Sequence, residues 1–259
     1  TPVVAPAIGA LLVKSFHWKA VFAVPPAFAI IIFLWSFRMQ ETHPPEKRSK
    51  MGAGEAWGKF RFIITHPVFL RYITIATLLF SVLSSYVSSS EHMIGGLYHR
   101  PDIFPYVFGG IGLLMAVFAL SNSYWSKKFG AHIALRYSLL VYFVAALLML
   151  TGTWIWRDPP PLSYFFILMA LLMALTVIAD PNSSALSLEL LGDHAGLAAS
   201  VYGTIFFFIG SAIGTLISSR LTTGLFPLAL CATVFSFVAV LLAFGDKRKN
   251  KTSSAEKLS

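Results

Sequence analysis

Charge is what this sequence has least of. Only 12% of its 259 residues are Asp, Glu, Lys or Arg, while 56% are hydrophobic and 15% aromatic. A soluble domain carries about 25% charged residues. Half of that leaves too little polar surface to cover a water-soluble globule. A soluble enzyme, a disordered chain and a nucleic-acid-binding module are thereby excluded, and a polytopic membrane protein remains. Cysteine is nearly absent as well. The single Cys231 permits no internal disulfide and lies in an apolar run, where it reads as a packing residue. Metal-ligand spacing is missing: His17, His43, His66, His92, His99, His132 and His194 form no His-x-x-x-His and have no Cys pair beside them, so no metal is expected. No Gly-rich loop precedes a Lys-Ser or Lys-Thr pair, so ATP is not the expected energy source.

Long apolar stretches are what the chain does have. About 20 apolar residues cross a bilayer as a helix. A partial span at 1–13 is followed by full ones near 20–38, 68–90, 103–125, 133–155, 162–187, 197–218 and 224–245. Lipid offers no partner to an exposed N–H or C=O, so spanning segments are helices or closed barrels. A barrel needs alternating segments of about ten residues, and Leu139–Leu150 does not alternate. The expected fold is therefore all-α. The chain begins at Thr1 inside an apolar stretch, without the basic start and cleavage site of a signal peptide, and reads as the C-terminal piece of a longer protein.

Lys and Arg in the connections orient the spans. Fifteen of the twenty lie on one side: seven between Arg38 and Arg71, then Lys127, Lys128 and Arg136, then five in the tail from Lys247 to Lys257. Lys14, Lys19, Arg100, Arg157 and Arg220 lie on the other. This split puts the connection 39–67 and the C-terminus in the cytoplasm and makes the net charge of +9 a matter of topology and anionic lipid, not of a polyanionic partner. The first half of that connection, Gln40 to Gly54, reads as a flexible linker. The second half, near Glu55–Ile64, mixes Trp57, Phe60, Phe62 and Ile63 with Lys59 and Arg61, and suits a short amphipathic helix on the inner face.

Ala7-Ile8-Gly9-Ala10-Leu11-Leu12 is echoed by Ala212-Ile213-Gly214-Thr215-Leu216-Ile217, 205 residues later and in the same orientation. Parallel repeats are one of the ways transporters are built. Ala5-Pro6-Ala7-Ile8-Gly9-Ala10 resembles the fifth-helix Pro-x-x-Gly motif of drug exporters of the major facilitator superfamily, with Ala10 in place of a second Gly. His17-Trp18-Lys19-Ala20-Val21-Phe22 resembles the opening of their sixth helix, and Glu41-Thr42 its close. Tyr86-Val87-Ser88-Ser89-Ser90-Glu91, followed by Phe104-Pro105-Tyr106-Val107-Phe108-Gly109, resembles helices seven and eight of Bcr/CflA-type drug-resistance transporters, with Ser90-Glu91 where Ser-Pro is expected. Pro181-Asn182 through Leu188, then His194-Ala195-Gly196 through Ser200, resembles their junction of helices ten and eleven.

The resemblance implies a partial major facilitator fold, about eight of twelve transmembrane helices. Residues 1–39 would be the last two helices of the N-terminal bundle, 40–67 the cytoplasmic linker between bundles, 68–245 the C-terminal six-helix bundle and 246–259 a basic cytoplasmic tail. Four further helices of the same protein would precede Thr1, and the complete protein would be a monomer in the cell (plasma or inner) membrane. The implied function is proton-coupled efflux of drug-like or amphipathic small molecules by alternating access, with no cofactor and the proton gradient as energy source. Its partners are then a small-molecule substrate, protons and membrane lipids, without nucleic acid. The alternatives are a metabolite importer or exchanger on the same fold, an intramembrane enzyme, or a non-transporting scaffold.

Within that frame particular residues stand out. Gly196, Gly203, Gly210 and Gly214 recur every 7, 7 and 4 residues and so share a helix face that admits close approach of another helix, as passive packing or as a surface on which two halves rock. Pro6 with Gly9 bends the first span in the same service. Asp180, two-thirds along its span, and Glu91, at the end of 68–90, are candidates for proton or cation coupling, because an acid in a membrane segment faces a cavity or a partner. Ser81, Ser84, Ser85, Ser88, Ser89 and Ser90 suit a polar cavity wall or bonds to their own helix. Ser85, Tyr86, Asn182, Tyr202 and Phe206 are the substrate-cavity candidates. Trp18, Trp35, Trp154 and Trp156 fall at span ends as interfacial anchors.

Overall fold

The computed structural model describes Phe16 and residues 18–38, 52–189, 191–222 and 224–245. Eight α-helices appear among them: α1 (Trp18–Ser36), α2 (Ala53–Thr65), α3 (Pro67–Glu91), α4 (Phe104–Phe129), α5 (Ala131–Ile155), α6 (Leu162–Leu188), α7 (Ala195–Ser218) and α8 (Phe226–Phe244). All but α2 are long and apolar enough to cross a membrane. The partial span at 1–13 and the tail 246–259 lie outside the described residues, as do Pro6, Gly9 and the first member of the echoed hexapeptide.

The chain divides into two compact units, Thr1–Trp57 and Gly58–Ser259. In the first, α1 is apolar all round and carries Pro25 and Pro26 in its interior. Trp35 is exposed near its end, as an interfacial anchor would be.

In the second unit α3 is the central helix. Its side chains at 68, 72, 75, 79, 82 and 86, spaced by three and four, face one hydrophobic cluster shared with α5, α6 and α8. Phe69, Ile73 and Ala76 face a second cluster with Val201, Tyr202 and Phe206 of α7. That spacing is one stripe of a helix for each neighbour. Gly58–Thr65 of α2 joins the second cluster: Ile63 is fully buried and Phe60 and Ile64 pack against it, while Arg61 and Phe62 stay exposed.

Prolines and glycines place the ends. Pro67, Pro105 and Pro227 stand in the first turns of α3, α4 and α8, where a missing N–H costs nothing. Beyond Glu91, α3 continues as a π-helical stretch His92–Leu97. Helix α4 runs to Phe129, past the expected end of its span at 125. Gly130 alone turns the chain into α5, with φ 81° and ψ 152°. Only glycine adopts that backbone without strain. Gly130→Ala is expected to destabilise the protein by about 1–3 kcal/mol, read as a lowered midpoint of thermal unfolding in detergent.

At the far end from Gly130 the connections are tied together by side chains. Asp158, between α5 and α6, accepts hydrogen bonds from the backbone N–H of Leu225 at 2.9 Å and of Phe226 at 2.8 Å, and so caps α8 from outside its own sequence. A Cβ on Gly224 would strike that carboxylate. Tyr98, after the π-helical stretch, donates its hydroxyl to the carbonyl of Pro160 at 2.7 Å. Burial first, and the nearby Asp158 carboxylate second, push the Tyr98 phenol well above its ordinary pKa, so it stays a donor at neutral pH. Losing a cap costs about 0.5–2 kcal/mol. Asp158→Ala, which frees two N–H groups, is expected at the upper end of that range by the same unfolding measurement.

Candidate functional site

Membrane helices gain little from hydrophobic burial against each other; small-residue packing and hydrogen bonds between helices select the contacts. Both kinds of contact converge on α3, α6 and α7.

Asp180 is half-buried on α6 and accepts a contact from the Tyr202 hydroxyl of α7 at 3.4 Å. That is long for an O–H···O bond, which peaks near 2.7–2.8 Å, so the carboxyl is met but loosely held. Ser184, one turn on, is a second neighbour of the same hydroxyl. Tyr202 itself is buried, stacks on Phe206 with centroids 5.9 Å apart and meets Phe69 of α3 edge-on at 6.4 Å. Phe206 in turn lies 4.3 Å from Phe80 of α3. A column of aromatic rings thus backs the acid. Pro181, next to Asp180, has no N–H to offer the carbonyl of Val177, which removes one rung of the helix beside the carboxyl.

Asn182 faces elsewhere. It is buried, donates to Asn122 Oδ1 of α4 at 2.9 Å and to the carbonyl of Ile178 at 2.7 Å, and accepts from Ser126 Oγ at 2.9 Å. Both amide hydrogens are used, and the group ties α6 to α4. Ser85 and Tyr86 are also interior: Tyr86 stacks on Phe108 of α4 at 6.0 Å. Among the described residues the hydroxyls of Ser85 and Tyr86 have no hydrogen-bond partner. Glu91 is exposed at the end of α3, apart from Asp180 on a different helix. The other α3 serines mostly bond to their own helix: Ser81 to Leu78, Ser88 to Ser84 and Ser90 to Val87. Ser89 is the exception, bonded to Ser218 of α7.

The four glycines divide. A Cβ on Gly214 would stand 2.8 Å from the Ser81 carbonyl, and one on Gly210 would meet the Phe80 ring at 2.5 Å and the Thr77 carbonyl at 3.4 Å. These two let α7 close onto α3. At Gly196 and Gly203 a Cβ meets nothing within 4 Å. Gly203 instead lines an open groove on α7 of about 830 Å³, with Ser200, Thr204, Phe207, Ser211 and Thr215.

In the sequence Asp180, Tyr202 and Phe206 stand out separately; their meeting, and the parts of Phe69 and Phe80, belong to the structure. One signal was available: Asp180 and Tyr202 stand eight and seven residues from the facing ends of α6 and α7, and so at nearly one depth. The hydroxyls at 200, 204, 211 and 215, spaced by four and seven, signal the exposed face of α7.

Two comparisons bear on this arrangement. The family model described as Major Facilitator Superfamily matches residues 1–215. The chain is also 30% identical over 244 residues to a bicyclomycin resistance protein homolog of Haemophilus influenzae, an overlap of 90% of this chain and 59% of that protein. The chain therefore spans less than two thirds of that relative's length. No solved structure matches it. Both matches agree with the resemblance read from the motifs.

Proposed function

The chain belongs to the major facilitator superfamily, and from that premise we propose that it is part of a secondary transporter that exports drug-like or amphipathic small molecules in exchange for protons. The observation that carries this reading is the Asp180 carboxyl, half-buried in an apolar span and loosely met by Tyr202 of the neighbouring helix. An acid at such depth is retained where it serves an ion or substrate path. One whose partner is held weakly can exchange that partner for a proton as the surroundings turn from wet to dry. The exposed hydroxyl and aromatic face of α7, next to Tyr202 along the helix, supplies a surface suited to bulky amphipathic molecules. Glu91, at the other end of α3, is the second coupling candidate.

In this reading 1–39 belongs to the first bundle, 40–67 joins the bundles, 68–245 is the second bundle and 246–259 a cytoplasmic tail. The superfamily plan of twelve helices adds four more. The two bundles alternate access to a central cavity, in a plasma or inner membrane with the C-terminus inside, and the proton gradient is the only energy source. The resistance named for the Haemophilus influenzae relative favours export of a toxic compound over import.

The test uses everted vesicles holding the complete protein. An imposed pH gradient should drive accumulation of a lipophilic cationic dye, and an uncoupler should collapse it. Dye movement indifferent to the gradient would remove proton coupling from the proposal.

A further inference from the structure

The open groove of α7 has a polarity of its own. Ser200, Thr204, Ser211 and Thr215 line it, with Phe207 and Phe208 between them. Three of the four hydroxyls have already committed their hydrogen. Ser200 donates to the Leu197 carbonyl at 2.8 Å, Thr204 to the Ser200 carbonyl at 2.9 Å and Thr215 to the Ser211 carbonyl at 2.8 Å. A carbonyl only accepts, so the direction of each bond is fixed. What these three side chains offer a ligand is oxygen lone pairs. To donate to a ligand, each would have to leave its own helix, and exchanging one bond for another gains little. Accepting from a ligand leaves the helix bond in place, and a hydroxyl that already donates is polarised into a better acceptor.

The rings in the groove have the same sign. Phe207 is 61% exposed, yet its ring is fixed at right angles to Phe80, 5.4 Å away, and nearly so to Phe206, 5.0 Å away. Phe208 is 76% exposed. The face of an aromatic ring is negative and attracts cations and N–H groups. Among the described residues that line the groove none is Lys, Arg or His. A carboxylate or phosphate would therefore meet chiefly lone pairs and ring faces, whereas an ammonium or hydroxyl group finds acceptors along the whole groove.

We propose that this face of α7 selects substrates by their hydrogen-bond donors: it takes aromatic amphiphiles bearing N–H or O–H groups, neutral or cationic, and disfavours their N-methylated and anionic counterparts. This selectivity presupposes that the groove belongs to the transport path of the preceding proposal, and it names the class of molecule that path accepts.

Equilibrium binding reads the selectivity without any gradient. The complete protein in lipid nanodiscs is dialysed against naphthylmethylammonium, its N,N,N-trimethyl analogue and naphthoate, with empty nanodiscs subtracted. The two cations share ring and charge and differ in their N–H donors. The primary ammonium should bind about tenfold more tightly than the trimethyl analogue, the worth of one hydrogen bond from a charged donor. Naphthoate should bind less than either cation. In the double variant Ser200→Ala, Thr204→Val, which removes two acceptors with little change of shape, the ratio should fall to about threefold or less. Thr204→Ser keeps the oxygen and should keep the full ratio. Phe207→Leu should weaken both cations alike. Equal binding of the two cations, naphthoate binding as tightly as either, or a ratio indifferent to the double variant overturns the proposal. So does the absence of saturable binding of the primary ammonium. Dye movement indifferent to the pH gradient, with the binding ratio intact, removes proton coupling alone and leaves the donor selectivity standing.

Discussion

Asp180→Asn is expected to reduce gradient-driven dye movement in everted vesicles to the level of vesicles without the protein, while leaving the amount and folding of the protein unchanged. Asn has the shape of Asp and offers Tyr202 an acceptor in the same place, so the contact at 3.4 Å between α6 and α7 has a substitute. What it cannot do is take up and release a proton. A role for Asp180 confined to holding α7 against α6 therefore predicts near-normal transport in this variant, and a coupling role predicts none. Tyr202→Phe gives the complementary result: it removes the hydroxyl but keeps the stacking on Phe206, so coupling should weaken while the aromatic column persists. Transport retained in full by Asp180→Asn would leave Glu91 as the remaining acidic candidate.

Gly214→Ala and Gly203→Ala, the same change on the same helix, are expected to differ in sign. At Gly214 the new methyl would stand 2.8 Å from a backbone carbonyl, that of Ser81, on the central helix α3. A backbone oxygen cannot rotate away as a side chain can, so α7 must move off α3. Overpacking of this kind costs about 1–3 kcal/mol. The Ser89–Ser218 hydrogen bond one turn beyond would stretch with it. At Gly203 the methyl enters open space, and the gain in helix propensity is up to about 1 kcal/mol. Thermal unfolding of the two variants in one detergent reads both effects. Equal destabilisation would mean that α7 is packed along its whole length, and equal tolerance that its approach to α3 is looser than the geometry requires.

These two cases also mark how far the sequence could be read. The spans were legible because a membrane helix declares itself by length and hydropathy alone: 131–155 and 162–188 fall within a few residues of their expected bounds. The end of α4 was not legible, because Ser, Lys and Asn near a span end look like loop, and in the structure a single glycine, Gly130, makes the whole turn. The glycine stripe was legible as a periodicity, but a period of seven does not say where a neighbouring helix touches and where it departs. Asn182 shows the same limit. Its polar side chain in an apolar span marked it as significant, and only the partner helix reveals that its amide is spent on Asn122 and Ser126.

What the sequence determined by itself is that this chain crosses a membrane as helices, how many of its stretches can do so, and to which family its motifs belong. Those properties rest on local composition and order along the chain. Tertiary structure alone decided which polar groups meet, with Asp180 beside Tyr202, Asn182 beside Asn122, and Asp158 on the first N–H groups of α8. The physical reason is that the apolar stripes of a membrane helix are nearly interchangeable to lipid. Which stripe faces which neighbour is settled by close fits between helices, such as Gly214 against the Ser81 carbonyl, and a single chain read in order carries no record of them.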